Sequence, residues 1–353
     1  MFPALAVLDE LGPLWDGRVI WIGSTRGIER QLVGLRGVAF AGIPAGKLRR
    51  YLSLRNLVDL VRIGIGLLAA LFVLLREKPR VLFSKGGYVS VPPVLAARLL
   101  GIPVLTHESD LVPGLATRIN SRFAEKVLVS FAESARYLPA HIRPKVLHTG
   151  NPVRAEVLGG SAREGRRLVG CEAGRPLLLV LGGSLGSRFI NRLIAQALPE
   201  LTVRLFVVHQ MGAANFRSST TSSYHAAAFF GEELPHLLAA ATLVICRSGA
   251  NTIWELAALG KPSLLIPLTR AASRGDQIEN ARYFEGQGAA VVLEESQASP
   301  RCLVDTVLHL IDDERTLEEM SRRASRLGSP DSARRIARLV AGRSQGSGVR
   351  DPV

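Results

Sequence analysis

A five-residue apolar run, Ala241 to Ile245, enters Cys246-Arg-Ser-Gly-Ala-Asn-Thr-Ile-Trp-Glu255, and a helical pattern, Trp254 to Leu259, leaves it. Few folds accept such an order. Ser248, Gly249 and Thr252 are small enough for a ligand to approach the backbone closely. A strand that feeds a small-residue turn into a helix N-terminus makes an anion site, because unpaired N–H groups and the helix dipole face the ligand. Glu255 falls one helical turn later, where a carboxylate reaches a hydroxyl.

The same order recurs. Residues 176–181 form an apolar run of parallel-strand type that ends in Gly182-Gly-Ser-Leu-Gly-Ser187 and a helix. Further strands are expected at 17–23, 38–43, 80–83, 103–106, 126–130, 145–147, 204–209, 224–230, 263–266 and 289–293, with helices between most of them, the longest over 53–75. Strands alternating with helices at this spacing predict an α/β chain with doubly wound parallel sheets. A chain of 353 residues suits two domains. The turn at 149–154 and the Gly- and Arg-rich stretch 158–175 read as the linker. They divide a Rossmann-like domain over 1–152 from a second over 153–328, and 329–353 remains as a helix and a tail, disordered after Gly342.

Three dispersed cysteines, with no CxxC pair, exclude a disulfide framework and a cysteine zinc site. The N-terminus has no basic region of signal-peptide type. A formal net charge of +14 asks for an acidic partner, but aromatic content of 6% and the lack of any nucleic-acid motif argue against nucleic acid. The charge gathers beside apolar surface. Residues 47–80 hold eight basic and two acidic side chains around the thirteen-residue segment 63–75. That segment falls short of the roughly 20 residues a bilayer span needs. It fits a buried helix or one lying on anionic lipid, and the residues alone leave both open.

Three more strand ends carry candidate chemistry. Gly182 to Arg188 permits positive φ and close backbone approach without matching GxGxxG or a Walker loop. Ser84-Lys-Gly-Gly-Tyr-Val-Ser90 and His107-Glu-Ser-Asp110 are its counterparts in the first half. His107 lies beside Glu108 and Asp110, and neighbouring carboxylates raise an imidazole pKa toward base duty; the alternative is a packed histidine. Arg154 follows a rigid Gly-Asn-Pro turn that aims a guanidinium at a phosphate or a ring. No His/Asp/Glu set has metal-ligand spacing, so no metal or cofactor is expected. A leaving diphosphate would be neutralised by backbone N–H groups, helix dipoles and arginine.

Phe2-Pro-Ala-Leu-Ala-Val, Gly86-Gly-Tyr-Val-Ser, His107-Glu, Gly150-Asn-Pro-Val-Arg, Gly182-Gly-Ser-Leu-Gly, His209-Gln, Cys246-Arg-Ser-Gly-Ala-Asn-Thr and Asp276-Gln-Ile-Glu-Asn-Ala281 occur in that order. Together they resemble the MurG family of peptidoglycan synthesis over nearly the whole chain. The resemblance implies the GT-B fold, two Rossmann-like domains facing a cleft. It implies inverting transfer of GlcNAc from UDP-GlcNAc to the MurNAc 4-hydroxyl of lipid I, undecaprenyl-pyrophosphoryl-MurNAc-pentapeptide. For UDP-GlcNAc it implies Glu255 on the ribose and the backbone from Ala250 through Asn251, Thr252 and Ile253 to Trp254 at the diphosphate. Ser184 and Arg154 would contact the nucleotide, Gly231 would bracket the uracil, and Gln277 would take the sugar hydroxyls, with Asp110 a further sugar contact. Gly86, Gly87, Tyr88, His107 and Glu108 become acceptor-side candidates. The basic, apolar 47–80 region becomes a docking face on the cytoplasmic side of the inner membrane, with other cell-wall synthesis proteins as further partners.

Two departures accompany the resemblance. His107-Glu-Ser-Asp110 stands where the family has His-Glu-Gln-Asn, so an amide donor is replaced by an acid. The family also has a strand and a glycine loop with a histidine directly before the residue that corresponds to Met1. Without them one inner strand position of the first sheet is expected to be empty, the base is unassigned, and an upstream translation start is the expected explanation. The alternatives are another nucleotide-sugar enzyme, such as a glycolipid transferase or a UDP-GlcNAc 2-epimerase, and a non-catalytic UDP-sugar-binding partner in a cell-wall complex.

Overall fold

The computed structural model describes residues 1–25, 29–46, 54–183 and 185–344, with backbone alone for 54–60, 343 and 344. The chain forms two compact units, Met1–Pro152 with Asp331–Val353, and Val153–Pro330.

The first unit begins with α1 (Phe2–Leu11), β1 (Ile20–Ser24), α2 (Glu29–Gly34), β2 (Ala39–Ile43) and α3 (Leu54–Glu77). It continues with β3 (Leu82–Ser84), α4 (Val91–Leu99), β4 (Val104–Glu108), α5 (Leu115–Phe123), β5 (Lys126–Val129) and β6 (Val146–His148). All of its pairings are parallel, and they fall into two sheets, β1-β2 and β3-β4-β5-β6, with no ladder between them among the described residues. One core joins α3 and α4 to the sheets: Ala70 and Leu74 pack with Val94, Ala97, Val104 and Val127, and Ile22 of β1 leans on them. A second core lies where Val7 and Leu11 of α1 meet Leu105 and Leu128.

The second unit runs through α6 (Ala155–Leu158), α7 (Ala162–Val169), β7 (Leu177–Leu181), α8 (Arg188–Arg204), β8 (Phe206–Gln210), β9 (Thr220–Thr221) and β10 (Tyr224–Ala227). It then forms α9 (Leu234–Ala240), β11 (Leu243–Cys246), α10 (Ala250–Ala258), β12 (Ser263–Leu265), α11 (Asp276–Gly286), β13 (Val291–Val292), α12 (Pro300–Asp312) and α13 (Glu314–Leu327). Its sheet has the order β13-β12-β11-β7-β8-β10-β9, parallel except for the short β9. Every residue of β7 and β11 is buried, as strands covered on both faces must be. Leu178, Val180 and Ile245 pack on Ile190 and Ile194 of α8 and on Leu303 and Val307 of α12.

Two sequence expectations are corrected. Residues 158–175 are no linker. Ser161 caps α7 by accepting from the Glu164 N–H, and Gly160 and Gly165 let the segment close on α9. A methyl at either would lie within about 2.2 Å of a Pro235 or His236 carbonyl oxygen. The glycines are contact points, not breaks. The last helix, α14 (Ser332–Ser344), is no appendage either: Ile336, Ala337 and Val340 complete the α1 core of the first unit.

Candidate functional site

The parallel strands β7, β8, β10, β11 and β12 of the second unit end on one edge, and the loops there carry most of the candidate residues. The open ends of parallel strands are where ligands bind in such sheets. The turn after β7 packs backbone to backbone against the turn after β8. Gly186 has φ +75°, and a methyl on it would lie 2.0 Å from the Met211 carbonyl oxygen. Gln210 ties this turn to the segment after β10: its amide nitrogen donates to the Gly183 carbonyl at 3.0 Å, and its side-chain oxygen accepts from the Phe230 N–H at 3.0 Å.

The turn after β11 leads into α10. Gly249 stands at the N-cap and supplies no side-chain cap, whereas α7, α8, α12 and α13 are capped by Ser161, Ser187, Ser299 and Asp313. Ala250, Ile253 and Trp254 bury their side chains in the core, so what they offer a ligand is backbone; Asn251 is exposed and Thr252 half-buried. One turn on, Glu255 Oε1 accepts from Arg154 Nε at 2.9 Å, with 14% and 27% of the two side chains exposed. Gln277 Oε1 accepts from the Leu268 N–H at 3.1 Å, which fixes its NH2 group as the end available for donation. The Gly231 N–H donates to Glu233 Oε2 at 3.0 Å. Ser184 lies outside the described residues.

Arg247 and Ser248, to which the sequence reading assigned no contact, fasten these loops together. Arg247 donates to the Ile266 carbonyl at 2.9 Å and to Ser187 Oγ at 2.8 Å, pairs with Glu295, and lies over the Phe189 ring. Ser248 Oγ donates to the Gln277 carbonyl at 2.8 Å, and Asn280 donates back to the Ser248 carbonyl. The one available signal was a single arginine within a small-residue turn at a strand end.

In the first unit the acceptor-side candidates gather after β3 and β4. Gly86 and Gly87 have φ of +78° and +79°, and Tyr88 is exposed. Asp110 also belongs to this unit, its N–H donating to Glu108 Oε1 at 3.1 Å. The expectation of a raised His107 pKa is overturned. His107 is fully buried, its Nε2–H donates to the Gly150 carbonyl at 3.0 Å, and burial followed by the charge of Lys85 drives its pKa well below the ordinary value. Glu108 is occupied as well: it accepts from the N–H groups of Ser109, Asp110 and Gly114 and so builds the loop. Lys85 donates to Ser109 Oγ, which donates to Asn151 Oδ1 at 2.6 Å, and burial lowers the lysine pKa to about 8.

This chain matches the profile of the glycosyltransferase family 28 N-terminal domain over residues 1–129 and that of the glycosyltransferase family 28 C-terminal domain over 177–336. It is 44% identical, over 96% of its length and 91% of the relative's, to a Treponema pallidum protein. That protein is named UDP-N-acetylglucosamine--N-acetylmuramyl-(pentapeptide) pyrophosphoryl-undecaprenol N-acetylglucosamine transferase. Among solved structures it is similar to MurG of Acinetobacter baumannii, with TM-score 0.73 and 27% identity over 96% of this chain and 95% of that one. A UDP-GlcNAc 2-epimerase from Neisseria meningitidis aligns with TM-score 0.66 at 15% identity over 95% and 94% of the two chains, a likeness of fold alone.

Proposed function

The chain belongs to the MurG family within glycosyltransferase family 28, and on that premise we propose that it transfers GlcNAc from UDP-GlcNAc to lipid I. The MurNAc 4-hydroxyl attacks C1 of the donor sugar from the face opposite the diphosphate, UDP leaves, and a β-1,4 disaccharide remains on the lipid. The observation that carries the donor half is the α10 N-terminus with its glycine cap and an oriented carboxylate one turn on. Backbone N–H groups and the helix dipole there oppose the charge that grows on the leaving diphosphate, which speeds bond cleavage without a moving part. Glu255 accepts from the ribose hydroxyls, and the Gln277 NH2 group donates to a hydroxyl of the sugar. The glycine turn 182–187 brings backbone amides to the nucleotide, and the segment at Phe230 and Gly231, held by Gln210, borders the uracil.

Lipid I is membrane-bound, and α3 supports a peripheral seat on that membrane. Val61, Ile65, Leu68, Phe72 and Leu75 are each more than half exposed, at spacings of four and three that make one stripe. Arg62, Arg76, Lys78 and Arg80 are exposed around it. No helix among the described residues is long and apolar enough to cross a membrane. An apolar stripe between cations suits the interface of anionic lipid; residues 47–53 of the expected docking region lie outside the described residues.

The test is to give the purified protein UDP-GlcNAc labelled in the sugar, with and without lipid I. Label is expected in the lipid-linked disaccharide, with one UDP released per transfer. Epimerised UDP-sugar in the absence of lipid would overturn the assignment in favour of an epimerase, and UDP binding with no transfer would leave a binding protein.

A further inference from the structure

The loop that leaves β3 begins at Ser84 and ends at Ser90, and one asparagine of α5 holds both serines. Asn120 Nδ2 donates to Ser84 Oγ at 3.2 Å and to Ser90 Oγ at 2.8 Å, across 36 and 30 residues of sequence. The direction of these bonds is fixed. The single hydrogen of the Ser90 hydroxyl goes to the Gly87 carbonyl at 2.8 Å, so toward Asn120 this serine can only accept. Ser84 Oγ also accepts from the Gly86 N–H at 3.2 Å. One amide group therefore holds the two ends of the loop and, through them, the two glycines between. Gly86 and Gly87 need that hold, because both sit at positive φ, +78° and +79°, and glycine has the most conformational freedom to lose.

The arrangement carries a cost that local stability does not explain. With Nδ2 turned to the loop, Asn120 Oδ1 is buried without a hydrogen-bond partner among the described residues, and an unpaired buried carbonyl destabilises a fold. Asparagine is also a poor residue inside a helix. A leucine of comparable size would avoid both penalties and give up only the hold on the loop. The helix that carries Asn120 is itself anchored, since Glu108 Oε2 accepts from the N–H of Gly114, its N-cap residue. It also touches the turn directly: a methyl on Gly86 would lie 3.3 Å from Thr117 Oγ1.

We propose that Asn120 is a positioning residue for the lipid-linked acceptor. It fixes the conformation in which the loop presents the backbone of Gly86 and Gly87 and the exposed Tyr88 side chain. It touches no substrate, because it is fully buried and both amide hydrogens are committed. This rests on the reading of Gly86, Gly87 and Tyr88 as acceptor-side residues. A loop ordered in advance spends none of the acceptor's binding energy on its own ordering.

The experiment measures the melting temperature, kcat, and the KM of lipid I and of UDP-GlcNAc separately. It uses the full-length enzyme and Asn120→Leu, Ser90→Ala, the double variant and Gly87→Val. Asn120→Leu should lower kcat/KM for lipid I by about ten- to a hundredfold, the scale of loss when a positioned group shifts by about an ångström. The KM of UDP-GlcNAc should stay within about twofold of the parent. Ser90→Ala should show a smaller loss of the same kind, and in the double variant the two losses should be less than additive. Gly87→Val puts a β-branched side chain where φ is +79° and so disturbs the loop without Asn120; it too should raise the KM of lipid I.

If Gly87→Val leaves the KM of lipid I unchanged, the acceptor reading of the loop fails. If Gly87→Val raises it and Asn120→Leu does not, the loop keeps its role and the inference about Asn120 is overturned. A merely structural asparagine would lower the melting temperature and the active fraction, and so kcat, with both KM values unchanged. Should Asn120→Leu fail to fold, Ser90→Ala decides in the same way: a raised KM for lipid I alone supports the inference, and an unchanged one overturns it.

Discussion

Two buried imidazoles give the protein a pH dependence whose sign the structure fixes. His107 has its pKa well below the ordinary value and His209 has its lowered to about 4, both chiefly by burial. His209 is neutral within a network, one ring nitrogen against Asn191 Oδ1 at 3.1 Å and the other against the Tyr224 hydroxyl at 3.2 Å. In the unfolded chain an imidazole titrates near pH 6.5. Below that pH the unfolded chain binds protons that the folded chain refuses, so stability is full above about pH 6.5 and falls as pH drops toward the folded pKa. For His209 the loss is about 1.4 kcal/mol per pH unit down to about pH 4. The melting temperature should therefore fall between pH 7 and pH 5, and His209→Gln should flatten that slope while lowering stability at pH 7. A slope unchanged in the variant would exclude His209 as its source. Arg247 carries a second expectation at this scale. Arg247→Ala leaves Glu295 and the Ile266 carbonyl without their donor, so a loss of about 3 kcal/mol and a higher KM for UDP-GlcNAc are expected, read by melting and by donor titration. Individual polar residues at strand ends were legible in the sequence: Glu255 and Arg154 were singled out that way as candidates, and Gln277 through the family resemblance. Their partners were not, because Arg154 and Glu255 lie 101 positions apart and meet only in the folded unit. For a related reason the sequence left His107 open between a base and a packed histidine, and the structure shows the packed one. It is followed by Glu108 in the chain, but neighbouring strand residues point to opposite faces, so the adjacent carboxylate is not an adjacent charge.

At the scale of elements, α3 is unusual in having apolar residues on two sides. Ala70 and Leu74 face the core with α4, while the stripe from Val61 to Leu75 faces solvent. A helix that is apolar all round is normally buried all round. The prediction is that Leu68→Glu with Phe72→Glu will leave the melting temperature within about 2 °C of the parent, since both side chains are already exposed. The same pair should remove co-sedimentation with vesicles rich in anionic lipid and depress turnover of vesicle-borne lipid I far more than turnover of a short-chain soluble analogue. Equal binding by the parent and the double variant would dismiss α3 as the docking element. The sequence displayed the apolar run and its cations but not which side of the helix α4 would cover. Alternation of strands and helices was legible throughout, because buried parallel strands leave continuous apolar runs. The reading of 158–175 failed where glycine was taken as a breaker: Gly160 and Gly165 are instead the places where α9 comes too close for a side chain.

On the scale of the whole molecule, the division into two units was anticipated from length, but the path of the chain between them was not. The chain leaves the first unit after Pro152 and returns to it at Asp331, so the second unit is an insertion within the first. No local pattern announces that return, since α14 has the composition of an ordinary Arg-rich surface helix and reveals its place only by packing Ile336, Ala337 and Val340 beside Val7 and Leu11. Removing residues 331–353 should accordingly damage the unit to which they are most distant in sequence. Hydrogen exchange is expected to rise in α1, β4 and β5, while UDP binding and protection of β7 and β11 persist; protection lost first in β7 and β11 would refute this assignment of α14. The insertion also sets an order of events on the ribosome. Domains usually complete themselves from the N-terminus during synthesis. Here the core in which Val7 and Leu11 meet Leu105 and Leu128 stays incomplete until the last helix emerges, whereas everything from Val153 to Pro330 is already out. The half that is made first is the half that finishes last, and for that interval it is the natural client of a chaperone.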